Sequence, residues 1–241
     1  MNHPVRILSL GPGDPELVTL KTLRQLQESD LIYVPATRQP ATGRLLSRAA
    51  SILAALDIPG ERIRPFELPM ERGREQAREA YRKLSRVVRE EQSAGRRVAV
   101  VAEGDAGLYA SVHYVGDLLC EAGAEVAYTP GIPAFIASAA AAGLHLVKGG
   151  ESLLVLPSVA TAAELLASAG EHTTVVMKLS QSREAVREAV ARGGEFEWRY
   201  FENVGTDRQF VTDSPGEILR REFPYFSLLV VRRPSSGAFS E

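Results

Sequence analysis

The chain has 241 residues, a formal net charge of −2 at pH 7, 45% hydrophobic and 24% charged residues, and one cysteine. That length holds one large or two modest α/β domains, and the near-neutral charge excludes bulk electrostatic binding to nucleic acid or anionic lipid. A lone Cys120 excludes a disulfide framework or thiolate metal cluster, and His3, His113, His145 and His172 never fall at metal-ligand spacing, so no metal site is expected.

Residues 5–10 read as a buried strand that runs into Gly11-Pro12-Gly13-Asp14-Pro15. Asp14 is a good N-cap and Pro15 suits the first helical position, so a helix is expected over 15–27 with Leu17, Leu20, Leu23 and Leu26 on one side. A strand over 31–34 should end at Pro35, and a helix should follow over 41–56, its start weakened by Gly43. Next come a strand over 63–68 and a long amphipathic helix over 72–94, with Ala77, Tyr81, Leu84 and Val88 inward and Gly95 as its stop. A buried strand over 97–102, a helix over 107–122 closed by Gly123 and a short strand over 125–129 complete this half. Strand and helix alternate throughout, the pattern of a largely parallel sheet with helices on both faces.

At Thr129-Pro130-Gly131 the pattern changes. A small-residue helix over 134–142 precedes strands over 152–156, 173–179, 199–202, 209–212 and 225–232, with helices over 161–168 and 181–192 between them. The expected organisation is α/β in two domains. Residues 1–129 form the largely parallel one, 130–233 the one with a mixed sheet, and 234–241 a flexible tail. No charged-then-apolar leader opens the chain, and the longest apolar stretch, over 135–146, is too short and Ala/Gly-rich to span a bilayer. A cytoplasmic protein without membrane contact is expected.

Three glycine-containing turns leave strands. The first lacks the Gly-Lys-Ser/Thr of a phosphate loop and the third glycine of a dinucleotide fingerprint, since Glu16 follows Pro15. The second is Glu103-Gly104-Asp105-Ala106-Gly107-Leu108-Tyr109, where Gly104 permits close ligand approach and Asp105 can cap a helix or hold a ligand hydroxyl or amine. The third is Tyr128-Thr129-Pro130-Gly131-Ile132-Pro133-Ala134, ahead of an Ala-rich helix that can pack closely or leave room for a ring. Plain tight connections and ligand turns both fit these patterns. Glycine-acid turns at the ends of different parallel strands can, however, face one another across a sheet's edge.

The run Gly11-Pro12-Gly13-Asp14-Pro15-Glu16-Leu17-Val18-Thr19-Leu20 resembles the opening signature of the tetrapyrrole methylases, the class III S-adenosylmethionine enzymes of cobalamin and sirohaem synthesis. Gly104-Asp105 with Tyr109, Pro130-Gly131, Met177 and the strand Pro224-Tyr225-Phe226-Ser227-Leu228-Leu229-Val230-Val231 follow in family order, so the likeness covers essentially the whole chain. Within the family it most resembles the precorrin-2 carbon-20 methyltransferases. That likeness rests on Glu67-Leu68-Pro69-Met70, Glu151-Ser152-Leu153-Leu154-Val155-Leu156-Pro157 and Val204-Gly205-Thr206-Asp207-Arg208.

The resemblance implies a homodimer that methylates carbon 20 of precorrin-2 or its cobalt-bound counterpart, with S-adenosylmethionine in a cleft between the domains and S-adenosylhomocysteine as product. By motif position the cofactor contacts would be Pro12, Gly104, Asp105, Ala106, Tyr109, Ala134 and Met177. The substrate's carboxylates would call for guanidinium forks, for which Arg38, Arg44 and Arg208 are candidates alongside the plain reading of solvated surface arginines. The base is not identified; His113, a helical turn after Tyr109, is a candidate that also reads as a packed helix residue. Two departures stand out: Ala106 replaces a proline usual in the second motif, and Pro133 replaces a Ser or Thr. Competing readings are a sibling methylase for another ring carbon or a macromolecule, and a degenerate S-adenosylmethionine-binding module without transfer.

Overall fold

The computed structural model describes residues 3–39, 42–68 and 74–234. Pro69-Met70 of the subfamily likeness, the expected helix starts at 41 and 72, and the tail beyond Pro234 lie outside the described residues. The chain divides into two compact units, Met1–Ala134 and Phe135–Glu241. It is α/β, with one sheet in each.

The first unit carries β1 (Val5–Ser9), α1 (Leu20–Glu28), β2 (Leu31–Arg38), β3 (Leu45–Leu46), α2 (Arg48–Ala55), β4 (Ile63–Glu67), α3 (Arg74–Ser93), β5 (Val98–Ala102), α4 (Val112–Glu121) and β6 (Val126–Thr129). Its strands run β3-β2-β5-β1-β6, with β4 also on β2; only β3 is antiparallel. Side chains of a strand alternate between faces, and the core divides accordingly. Val5, Ile7, Val98 and Val100 pack with Leu84, Val88, Val115 and Leu119 of α3 and α4. Leu8, Leu10, Ala99 and Val101 pack with Leu26, Ile52 and Leu53 of α1 and α2 on the other side. Burial on both faces explains why β5 is continuously apolar and β1 is apolar but for Arg6 and Ser9.

The second unit follows with α5 (Ala134–Ala141), β7 (Leu153–Leu156), α6 (Ala162–Glu171), β8 (Thr173–Met177), α7 (Arg183–Arg192), β9 (Glu197–Glu202), β10 (Phe210–Thr212), α8 (Pro215–Leu219) and β11 (Ser227–Arg232). The order is β10-β9-β11-β8-β7, antiparallel except for β7 with β8. One core gathers Leu165, Val186, Val190, Trp198, Tyr200, Phe223 and Leu229. At its rim Glu202, 5% exposed, accepts from Arg221 Nε at 2.8 Å and Nη2 at 2.6 Å, and from the Tyr200 hydroxyl. Burial raises the carboxyl, but these donors outweigh it and hold the group below its usual range.

Several boundaries differ from expectation. Asp14 and Pro15 start only a 3₁₀ turn, Pro15–Leu17; Thr19 then caps α1 by accepting from Thr22 N–H at 3.2 Å. Leu20 is 74% exposed, outside the expected stripe. Strand β2 continues through Pro35, because its ladder with β5 ends at Tyr33 and the missing N–H disturbs one neighbour at most. In place of one helix after 41, β3 precedes an α2 capped by Ser47. Helix α4 starts at Val112 and not at 107, since Tyr109 has φ +51, which no right-handed helix accommodates.

Candidate functional site

Strand β1 lies between β5 and β6, all three parallel, so the three glycine turns leave the same edge of the sheet side by side. The chain leaving β1 goes to α1 on one face, and the chain leaving β5 goes to α4 on the other. Such a switch point, at the carboxyl ends of the strands, is where open α/β sheets hold ligands.

The turns are tied together by their own backbones. Gly11 N–H donates to Gly104 O at 3.1 Å and Gly104 N–H returns to Gly11 O at 2.7 Å. Both glycines are left-handed, at φ +71 and +72. Ser9, fully buried, receives Ala106 N–H on its Oγ at 2.9 Å and donates to Thr129 O at 2.8 Å, which joins the second turn to the third. Asp105 completes the set: Oδ1 accepts from Gly107 N–H at 2.8 Å and Oδ2 from Gly131 N–H at 2.7 Å. A Cβ on Gly131 would stand 2.5 Å from Ser9 Cβ and 2.9 Å from Gly104 O, so this residue must be glycine for the turns to meet. A Cβ on Gly104 would meet nothing within 4 Å, so the space beside that α-carbon is open.

Beneath the first turn lies Arg48, the first residue of α2. Its Nη2 donates to Pro12 O at 2.5 Å and its Nε is 3.9 Å from Glu103 Oε2. Burial pulls the guanidinium below its usual range and pushes the Glu103 carboxyl up; the attraction between them offsets part of both shifts, and the Ala49 N–H offsets part of the carboxyl's.

The first unit therefore gathers Pro12, Gly104, Asp105 and Ala106 at one edge, with Tyr109 three residues on, 38% exposed. Asp105 spends both oxygens on the turns themselves. Ala106 has its N–H on Ser9 and its methyl in the core, so the loss of a proline there leaves the turn anchored. Ala134 opens α5, and Met177 ends β8 in the second unit, half-buried and opposite Leu228. Lys178 after it is left-handed at φ +53, with its ammonium lowered by burial.

Arg38 and Arg44 sit together across the β2–β3 connection, where Gln39 N–H donates to Arg44 O at 2.9 Å, and Arg208 belongs to the second unit. The fork of Arg38 is taken by Glu67, at 2.8 and 2.5 Å, and by Gly43 O at 2.7 Å. Arg44 and Arg208 are exposed and lack an ion pair among the described residues. His113 Nδ1 lies 2.5 Å from Ala110 O; a carbonyl only accepts, so Nδ1 is the donor of this contact. Among the described residues no group of three or more His, Cys, Asp or Glu can hold a metal ion, and no helix is long and apolar enough to cross a membrane.

Sequence reasoning missed Ser9, Arg48 and Glu103. A serine inside an apolar strand was a readable signal for the first; Arg48 stands 36 residues from the Pro12 carbonyl it holds, and no local pattern links them.

Residues 5–219 match the family described as Tetrapyrrole (Corrin/Porphyrin) Methylases. The chain is 30% identical over 225 residues to a precorrin-2 C(20)-methyltransferase of Sinorhizobium sp, covering 92% of this chain and 91% of that one. It is 27% identical over 252 residues to the cobalt-precorrin-2 C(20)-methyltransferase of Salmonella typhimurium, covering 97% and 98%. In structure it is similar to a cobalt precorrin-4 methyltransferase, with TM-score 0.71, 18% identity and coverage of 95% and 94%. It is also similar to the uroporphyrin-III C-methyl transferase of Thermus thermophilus complexed with S-adenosylhomocysteine, with TM-score 0.67, 22% identity and coverage of 95% and 97%. The chain belongs to the tetrapyrrole methylases, enzymes that take their methyl group from S-adenosylmethionine.

Proposed function

We propose that this chain transfers a methyl group from S-adenosylmethionine to carbon 20 of precorrin-2 or its cobalt-bound counterpart, in cobalamin synthesis. The observation that carries this reading is the full-length likeness to two proteins named for carbon 20. The first unit's turns fit the donor: Gly104 has open space beside its α-carbon and a backbone conformation that only glycine adopts without strain, so a ligand can approach the chain there.

Bound there, S-adenosylmethionine would supply a methyl group already activated on a sulfonium. The protein's work is then to orient the donor and hold the accepting carbon in line. In this reading Pro12, Gly104, Asp105, Ala106 and Tyr109 hold the donor, which the hydrogen bonds that brace these turns support. Ala134 and Met177 are the further contacts the family motif suggests. Arg44 and Arg208, exposed and without ion pairs among the described residues, suit substrate carboxylates better than Arg38, whose fork is filled. Methylation of a ring CH releases its proton, and His113, whose Nδ1 is engaged by Ala110 O and leaves Nε2 for the role, is the candidate base of this reading. The same reading includes a cytoplasmic homodimer, which sedimentation of the purified protein tests.

The test is anaerobic incubation with methyl-labelled donor and, separately, precorrin-2 and its cobalt-bound form, followed by product mass and carbon spectroscopy. One added methyl at carbon 20 is expected with at least one substrate. A methyl at another ring carbon replaces the assignment with a sibling methylase. S-adenosylhomocysteine binding without transfer to any tetrapyrrole leaves a binding module.

A further inference from the structure

Arg48 stands where a cation gains nothing for local stability. It occupies the first position of α2, at the positive end of the helix dipole. It is also largely withdrawn from water, which disfavours its charge. Its contacts explain its presence. Nη2 holds the Pro12 carbonyl, the one turn residue between two glycines, and the guanidinium lies so close under Gly13 that a Cβ there would stand 2.0 Å from Nη2 and 2.9 Å from Cζ. On its other side Glu103 immediately precedes Gly104.

The geometry points to Arg48 as a positioning residue: through Pro12 O and the Glu103 carboxylate it clasps the first glycine turn to the second and sets the spacing of the donor-binding edge. This rests on the reading of that edge as the S-adenosylmethionine site. Gly11 and Gly104 join the turns at their roots by two backbone bonds, and Arg48 fixes the next residue outward, where the Pro12 peptide would otherwise rotate. Holding the Pro12 carbonyl against the guanidinium fixes the Pro12–Gly13 peptide plane, so the Gly13 N–H faces a constant direction. Lysine reproduces the charge but not the fork that reaches two partners at once.

The test is S-adenosylhomocysteine binding by calorimetry, with steady-state kinetics and thermal unfolding, on the full chain and its Arg48→Met, Arg48→Lys and Glu103→Gln variants. Arg48→Met is expected to bind at least ten-fold more weakly and to raise KM for S-adenosylmethionine more than it lowers kcat. Arg48→Lys should recover part of that loss, and Glu103→Gln should show a smaller loss of the same kind. A residue with a merely structural role would lower the unfolding temperature while the folded variant bound as the parent does. Affinity within two-fold of the parent in folded Arg48→Met overturns the proposal. If Arg48→Met does not fold, parent-like affinity and KM in both other variants overturn it equally. An unmodified chain that fails to bind S-adenosylhomocysteine overturns the site reading itself, a result distinct from parent and variants binding alike.

Discussion

Asp105 shows how one carboxylate can brace two backbone turns. Each oxygen takes one backbone N–H, from Gly107 and from Gly131, so the side chain is a brace between two turns. In Asp105→Asn one of those N–H groups would face an amide NH₂, which leaves a donor unpaired at a cost of about 1–3 kcal/mol. The expected outcome is roughly ten-fold weaker S-adenosylhomocysteine binding, measured by calorimetry, with a lowered unfolding temperature. The glycines of the same edge separate steric from ligand effects. At Gly131 the obstacle is space, because a methyl would press on Ser9 Cβ and Gly104 O, neither of which can yield without parting the turns. Gly131→Ala should therefore lose about 1–3 kcal/mol of stability even without ligand. At Gly104 a methyl meets no protein atom, and the cost in the free protein is the left-handed backbone, about 1–2 kcal/mol. Yet Gly104→Ala should lose more binding than Gly131→Ala for each degree of unfolding temperature lost, because its methyl fills the space a ligand would enter. Paired calorimetry and thermal melts read this directly; equal ratios for the two variants would mean that no ligand approaches Gly104.

Elements of the first sheet are held in register by a charged pair at their starting ends. Asp30, just before β2, accepts from the backbone N–H of Arg97 at 2.8 Å and from its Nη2 at 2.8 Å, just before β5. Hydrogen bonds from the Arg97 side chain and backbone hold this carboxyl at about 2, against 3.8 when free. A carboxyl lowered on folding adds stability that is complete above about 4 and is lost as pH falls toward 2. Asp30→Asn should thus flatten that acid limb in urea titrations between pH 5 and 2, by a modest amount because the pair is well exposed. Glu103 has the opposite sign: burial raises its carboxyl, so its contribution becomes less favourable as pH rises through the folded value. The periodicity of apolar residues located nearly every element, since the central strands β1 and β5 are buried on both faces and α3 shows a clean inward stripe of Tyr81, Leu84 and Val88. Ends were harder to read. Thr19 and Ser47 are caps hidden within runs that look helical, and Tyr109 ends the second turn by a left-handed backbone that its side chain does not advertise.

At the scale of the whole molecule, the order of strands was not legible. That β1 lies between β5 and β6 depends on contacts across about 90 to 120 residues, and it is this order that brings Gly11, Gly104 and Gly131 together. Two of the turns were readable as glycine-acid pairs and the third as a Pro-Gly turn; their mutual bonds, and the service of Ser9 and Asp105 within them, were not. This convergence makes a regional prediction. Ligand at a hundred times its Kd adds about 2.7 kcal/mol to a site that binds only when folded. With two compact units in the chain, that gain need not spread evenly over the molecule. Hydrogen exchange with and without S-adenosylhomocysteine should show added protection in peptides covering residues 9–19, 102–112 and 129–134. The peptide over β10 and α8, residues 210–219, carries none of the residues assigned to the donor, and its exchange should change less. Protection rising in that peptide while the three turns stay unchanged would remove the donor from the edge where β1, β5 and β6 end.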